Sequence, residues 1–221
     1  MEMKAIMQHV DHTLLKPFAA WTEIQALCEE AIAYGAASVC VPPCYIKRIH
    51  DNYGERLKIC TVVGFPLGYS TAEAKTAETR QAIADGASEI DMVINIAAVK
   101  NGDWHYVTEE IRALRQAAGN HILKVIVETC YLTEEEKIAA CKAVTDAGAD
   151  YIKTSTGFGT AGASLDDIRL FRAHIGENIR IKAAGGIRTR EAMEAFLEAG
   201  CDRIGSSSAA ALMKEANEKH N

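Results

Sequence analysis

Short apolar runs alternate with longer stretches in which apolar residues recur every three or four positions, and the alternation continues along the whole chain. The short runs read as strands: His9–Leu14, Ser38–Val41, Lys58–Val63, Glu89–Ile94, Leu123–Glu128, Tyr151–Ser155, Arg180–Ala184 and Arg203–Gly205. A helical pattern follows each one. Three helices carry an opening Ser/Thr-x-x-Glu/Gln box that satisfies orphan amides, at Thr22…Gln25, Ser70…Glu73 and Thr133…Glu136. Eight strand–helix units with short links and no linker-like segment predict an α/β fold. The expected architecture is a single (β/α)8 TIM barrel over residues 1–221, with a short N-terminal helix. An open doubly wound sheet usually has fewer strands, and no G-x-G-x-x-G follows the first one.

An internal repeat sharpens this picture. Gly35, Gly86, Gly148 and Gly200 each sit between a helix end and a strand, 51, 62 and 52 residues apart. Glycine there suits a left-handed helix cap, and the spacing marks strands 2, 4, 6 and 8. Five residues beyond each glycine stand Cys40, Asp91, Lys153 and Gly205. Alternate strands of such a barrel share an interior layer, so these four are expected in one ring. A thiol, a carboxylate, an amine and an empty position make a poor hydrophobic layer but a serviceable reactive one.

Composition narrows the class. The chain has 221 residues, 48% of them hydrophobic, and a net charge of −6 without a basic stripe, which argues against a nucleic-acid partner. Met1 to Asp11 lacks the apolar core of a signal peptide. The longest apolar stretch is broken by Gly35, Pro42 and Pro43, so no membrane span is expected. Seven irregularly spaced cysteines without a C-x-x-C suggest reduced thiols in the cytoplasm rather than a disulfide framework or a zinc site. His9 and His12, three apart on a strand, face opposite sides and cannot share a metal.

Lysine is rarely buried without a reason, yet Lys153, Lys182 and Lys124 each lie within an apolar strand. For any one of them, a structural ion pair with Asp91 is the simpler account. Lys153 and Lys182 belong to adjacent strands, however, and with one carboxylate available the second would lack a partner. Two neighbouring ammonium groups disfavour each other's charged form. The expectation is that one lowers the other's pKa and leaves a free amine able to form a Schiff base with a carbonyl. Asp91 would move protons between substrate and water, or balance the lysines' charge. Asp11 and Thr13 share a strand face and add polar contacts.

The strand ends nearby are rich in small and hydroxyl residues: Thr156-Gly157, Gly185-Gly186 and Gly205-Ser206-Ser207-Ser208. Loops after strands 7 and 8, with a helix N-terminus behind them, commonly cradle phosphate in these barrels, and Arg188 could complete the charge. A buried cysteine is usually a small hydrophobe, so Cys40 is expected to line the pocket without reacting.

Several phrases carry a resemblance that covers nearly the whole chain: Asp11-His12-Thr13, Thr61-Val62-Val63-Gly64-Phe65-Pro66-Leu67-Gly68, Glu89-Ile90-Asp91-Met92-Val93-Ile94-Asn95, Gly148 through Phe158, and Lys182 through Thr189. The sequence resembles the deoxyribose-phosphate aldolases of the compact bacterial type. The resemblance implies a cofactor-free Schiff-base aldolase interconverting 2-deoxy-D-ribose 5-phosphate with D-glyceraldehyde 3-phosphate and acetaldehyde. It places the Schiff base on Lys153, a choice that the residues alone leave open between Lys153 and Lys182. It makes Lys182 the neighbour that tunes the amine, Asp91 the proton-transfer partner, and the glycines and serines after strands 7 and 8 the phosphate site. The implied partners are small phosphorylated sugars and aldehydes, with no nucleic acid or membrane, and a homo-oligomer is compatible. Two alternatives stand beside this reading: a Schiff-base barrel aldolase for another sugar phosphate, and a non-catalytic phosphate-binding barrel. The tail Glu215 to Asn221 lacks an aromatic residue, leaving open whether a C-terminal segment covers the substrate.

Overall fold

The computed structural model describes residues 1–218. Eight strands, β1 (Val10–Thr13), β2 (Ser38–Val41), β3 (Ile59–Val63), β4 (Glu89–Val93), β5 (Ile122–Ile126), β6 (Tyr151–Lys153), β7 (Arg180–Ala184) and β8 (Arg203–Ser206), close into a parallel barrel in sequence order. The closing β1–β8 pair sets Asp11 opposite Gly205. A short helix α1 (Met3–Met7) precedes β1, as expected. The remaining helices are α2 (Trp21–Tyr34), α3 (Ile46–Tyr53), α4 (Ala72–Ala84), α5 (Ile96–Lys100), α6 (Trp104–Ala118), α7 (Glu134–Asp146), α8 (Leu165–His174), α9 (Arg190–Glu198) and α10 (Ala209–Glu218). None among the described residues is long and apolar enough to cross a membrane. Of the tail, Lys219, His220 and Asn221 lie outside the described residues.

The expected strands are all present, with ends moved by one or two residues. Strand β5 stops at Ile126 because Glu128 turns into the left-handed region, with φ 53°. The four repeat glycines all have positive φ, between 69° and 108°, at the helix-to-strand turns. Two expected caps are displaced. Helix α2 starts at Trp21, so Thr22 lies inside it, and Glu23 accepts from the Ala20 amide at 2.8 Å. Helix α4 is capped by Thr71, whose hydroxyl accepts from the Ala74 amide at 3.3 Å, not by Ser70. The true cap lies two residues earlier in α2, at Ala20, and one residue later in α4, at Thr71, so the motif finds the turn but not the register. The Thr133–Glu136 box forms reciprocally.

The barrel divides its side chains by parity. Outward positions such as Val39, Ile90, Val125, Ile152, Ile181 and Ile204 are fully buried against the helices, where Ile24, Ile111, Leu114 and Phe171 meet them. Each such side chain contributes roughly 1.5–3 kcal/mol of hydrophobic stabilisation. Inward positions include most of the buried charged groups, Asp11, Glu89, Asp91, Lys124, Lys153, Lys182 and Arg203 among them, and they build the site. One further buried charge pair lies outside the barrel. Lys75 of α4 and Glu110 of α6, neither accessible to solvent, meet at 2.7 Å. Lys75 Nζ also donates to Val93 O at 2.8 Å, and Glu110 accepts from the Asn95 amide at 3.0 Å. Burial lowers the Lys75 pKa and raises that of Glu110, despite their mutual attraction.

Candidate active site in the barrel mouth

Lys153 ends β6 and pairs in register with Lys182 of β7, so the two side chains enter the barrel side by side. Each Nζ donates to the same oxygen, Asp91 Oδ2, at 2.7 Å. The nitrogens are therefore no farther apart than twice that distance. Asp91 reaches them from β4 across the interior, and its other oxygen accepts from Lys124 Nζ at 2.8 Å.

The expectation of a single available carboxylate is overturned. Asp11 on β1 pairs with Lys182 and with Arg203, and Lys124 pairs with Glu89 at 2.6 Å and Asp11 at 3.6 Å. Arg203 also meets Glu89 at 3.2 Å. One connected network thus holds four cations, Lys124, Lys153, Lys182 and Arg203, against three carboxylates, Asp11, Glu89 and Asp91. Glu89 and Arg203 escaped the sequence reading, although each lies two residues before an inward position, Asp91 or Gly205, and strand alternation puts both inside.

The electrostatics follow from this pairing. Burial alone would raise the Asp11 carboxyl, but Lys182, Lys124 and Arg203 outweigh it and hold it well below the usual range. Burial likewise opposes ionisation of Asp91, and Lys124, Lys153 and Lys182 prevail, keeping it ionised. Burial would also lower Lys182, yet Asp11 and Asp91 raise its pKa above the ordinary lysine value. The expected mutual depression therefore fails for Lys182, which stays protonated because it has carboxylates of its own. Lys124 is raised in the same way against its burial, chiefly by Asp91.

Above the network opens a cavity of about 220 Å³. Of the expected site residues, Thr13, Lys153, Thr156, Gly157, Gly185, Gly186, Arg188, Gly205 and Ser207 line it. Ser206, from the expected serine cluster, lines it too, and the wall also includes Leu14, Leu15, Lys16, Phe158, Ala184 and Ile187, none of which the sequence placed at the site. Ala184 takes the wall position on β7, leaving Lys182 two residues deeper. A methyl group at Gly205 would stand 3.0 Å from Ala184 Cβ and 3.4 Å from Lys182 Cε, so the empty ring position gives the Lys182 side chain its path. Lys182, Lys124, Asp91 and Cys40 lie beneath or behind the wall. Ser208 stands one residue beyond it, its amide donating to Ser206 Oγ at 3.1 Å.

Cys40 is fully buried, packed with Cys60 and Val62 against Leu15 and Phe65. A hydrogen bond from Cys60 lowers its thiol pKa, while burial pushes Cys60 up. Donor atoms of Cys40, Cys60 and Asp91, and of Asp11, Cys60 and Glu89, gather within 4.8 Å. Their carboxylates already bond to ammonium and guanidinium groups, so a metal ion would have to displace one. His12 points outward to Glu30 at 2.8 Å, while His9 meets Asp202 O.

Chemically, the arrangement presents one amine at a cavity floor, an ionised carboxylate and a second ammonium beside it, and a rim of glycines and hydroxyls. Among the described residues the backbone amides of Gly157, Gly185, Gly186 and Ser207 donate to no protein acceptor. With Arg188, they form a cradle suited to an anion.

Known proteins share this chain's sequence and fold. Residues 4–212 match the model of the DeoC/LacD family aldolase. A deoxyribose-phosphate aldolase of Clostridium botulinum (strain Alaska E43 / Type E3) is 66% identical over 209 residues, covering 95% of either chain. A solved structure described as QR15, an aldolase, superposes with a TM-score of 0.92 at 38% identity, covering 97% of each chain. Another, the deoxyribose phosphate aldolase of Aeropyrum pernix, described as having a unique tetrameric structure, does so with 0.89 at 27% identity, over 99% of this chain and 93% of that one.

Proposed function

This chain belongs to the DeoC/LacD family of aldolases, and we propose that Lys153 forms the Schiff base through which it reversibly cleaves 2-deoxy-D-ribose 5-phosphate to D-glyceraldehyde 3-phosphate and acetaldehyde. The observation that carries the choice of Lys153 is its place in the charge network. Lys124 holds three carboxylates, and Lys182 and Arg203 hold two each. Lys153 holds only Asp91, which it shares with two other amines. It is also the network member on the cavity wall.

A buried excess of one positive charge is costly. Releasing the proton of the least-paired amine, the one that faces the cavity, removes that excess with the smallest loss of pairing. Two ammonium charges about 5 Å apart at an effective dielectric of ~20 repel by about 3 kcal/mol. Lys182, held protonated by Asp11 and Asp91, supplies that field.

Neutral Lys153 attacks the C1 aldehyde of the open-chain sugar phosphate, and loss of water gives an iminium. The C3 hydroxyl gives up its proton towards Asp91 through water, and the C2–C3 bond breaks with its electron pair passing into the iminium. Glyceraldehyde 3-phosphate leaves. The remaining enamine is protonated at C2 and hydrolysed to acetaldehyde, which frees the amine. The phosphate rests on the cradle formed by Gly157, Gly185, Gly186, Ser207 and Arg188, so that remote binding aligns C1 with the amine. Lys124 and Cys40 act from behind the wall, by charge and by packing.

Borohydride added with acetaldehyde should leave a reduced adduct that peptide mapping locates on Lys153. An adduct on Lys182 would reverse the two lysines' roles. Seven unpaired cysteines suit a reducing compartment, and cytoplasmic residence and self-association belong to the same proposal, the latter supported by the tetrameric relative.

A further inference from the structure

Glu128 is almost fully buried, has no cation partner among the described residues, and occupies the left-handed backbone region with φ 53°. It is the one non-glycine with positive φ among them. A carboxylate without a counterion and a side chain in that region both work against folding. Stability does not account for its presence, so its contacts must.

Those contacts converge on one neighbour. Both carboxylate oxygens accept from the Thr156 amide, at 3.2 and 3.3 Å, and Oε2 also accepts a short hydrogen bond from the Thr156 hydroxyl. The Cys130 thiol lies 4.0 Å from Oε1. The Thr156 hydroxyl in turn accepts from the Phe158 amide at 3.0 Å, and the Phe158 ring packs edge-on against Phe65 at 5.2 Å. The segment 156–158 is thus tied at both ends, and the amide of Gly157, with φ 86°, is the one in it left without an acceptor among the described residues. Thr156, Gly157 and Phe158 form the cavity wall that follows directly on the strand carrying Lys153.

We propose that Glu128 is a positioning residue: by holding Thr156 from behind, it sets the Gly157 turn as one face of the phosphate cradle and so determines preference for a phosphorylated over an unphosphorylated substrate. This rests on the phosphate-cradle reading above. Glu128 touches no reacting atom. It acts through Thr156, whose amide and hydroxyl its two oxygens occupy.

The test compares kcat and KM on 2-deoxyribose 5-phosphate and on 2-deoxyribose for wild type, Glu128→Gln and Glu128→Gly, with thermal midpoints alongside. Glycine suits the left-handed backbone, which offsets part of the cost of leaving the Thr156 amide unpaired, so Glu128→Gly should still fold. Its KM for the phosphorylated sugar should rise tenfold or more, while kcat/KM on deoxyribose changes less than threefold. Glu128→Gln, which can accept from the Thr156 amide but not simultaneously from its hydroxyl through a second oxygen, should fall between. An unchanged phosphate preference in Glu128→Gly, or equal losses on both sugars, overturns the proposal. The borohydride trap on wild type reads the underlying function separately: a trapped, active wild type with an indifferent Glu128→Gly condemns only the role of Glu128.

Discussion

Two buried charge clusters in this molecule use the same residue types for different ends. Between α4 and α6, Lys75 and Glu110 form a closed one-to-one pair whose remaining bonds go to the Val93 carbonyl and the Asn95 amide. Inside the barrel, four cations share three carboxylates, and one edge of the cluster meets a cavity. The direction of a pKa does not separate them: Lys75 is lowered, whereas Lys182 and Lys124 are raised. Charge balance and access do. A matched and sealed pair holds two helices against strand ends, while the unmatched cluster leaves Lys153, with a single shared carboxylate, on a cavity wall.

The contrast breaks most severely at Lys153. Lys153→Met should lower kcat by about 10⁴-fold or more, as loss of a nucleophile does, and abolish borohydride trapping with little change in the urea midpoint. Residual activity near the wild-type level would place the nucleophile elsewhere.

Lys75→Met should have the converse signature. Leaving Glu110 buried and unpaired costs about 3–5 kcal/mol, seen in urea denaturation, while kcat of the folded fraction stays at the wild-type value. The double variant Lys75→Met/Glu110→Leu should recover most of that loss, since replacing both partners removes the uncompensated charge. A drop in kcat in the double variant would mean the two clusters are coupled.

Lys182→Met sharpens the comparison from the barrel side. Removal of the neighbouring charge should cost about 10²-fold in kcat/KM at neutral pH, from a repulsion of about 3 kcal/mol, whereas Lys182→Arg, which keeps the charge, should lose less. A Lys182→Arg variant as slow as Lys182→Met would show that Lys182 acts by geometry rather than by its field.

The smallest effect is the pH dependence of stability, and the two clusters carry opposite signs. Asp11 and Asp91 are depressed in the fold, so their contribution is present above about pH 4, the unfolded value, and is lost as pH falls through the folded values. Lys182 is raised, so its contribution is present below about pH 10.4 and is lost as pH climbs through its folded value. For Glu110, raised by burial, the contribution is instead fullest below about pH 4.3 and declines as pH rises through the folded value. Stability profiles of Asp11→Asn and Glu110→Gln, compared with wild type, should therefore diverge in opposite directions between pH 3 and 6.

Much of the candidate site was legible because its signals are local. Strand parity places Asp91, Lys153 and Gly205 on the inner face, and the hydroxyl and glycine clusters at strand ends mark the rim. Lys16, Leu15 and Phe158 were not legible, since a loop residue's approach to a cavity has no periodicity. Lys124 shows the opposite limit: parity turns it inward, but depth along the barrel leaves it beneath the cavity, bound to Glu89 and Asp91.

The sequence by itself determined the eight alternating units, the helix-ending glycines and the adjacency of two inward lysines, because hydrophobic period, capping and strand order each act over a few residues. Tertiary structure decided how the two lysines are paired, Lys153 with Asp91 alone and Lys182 with Asp11 as well. That pairing turns on Asp11, brought beside Lys182 only when β1 closes against β8, and on Glu89 and Arg203 meeting across the interior. Charge balance inside a barrel is a sum over strands distant in the chain, and it exists only once the cylinder is shut.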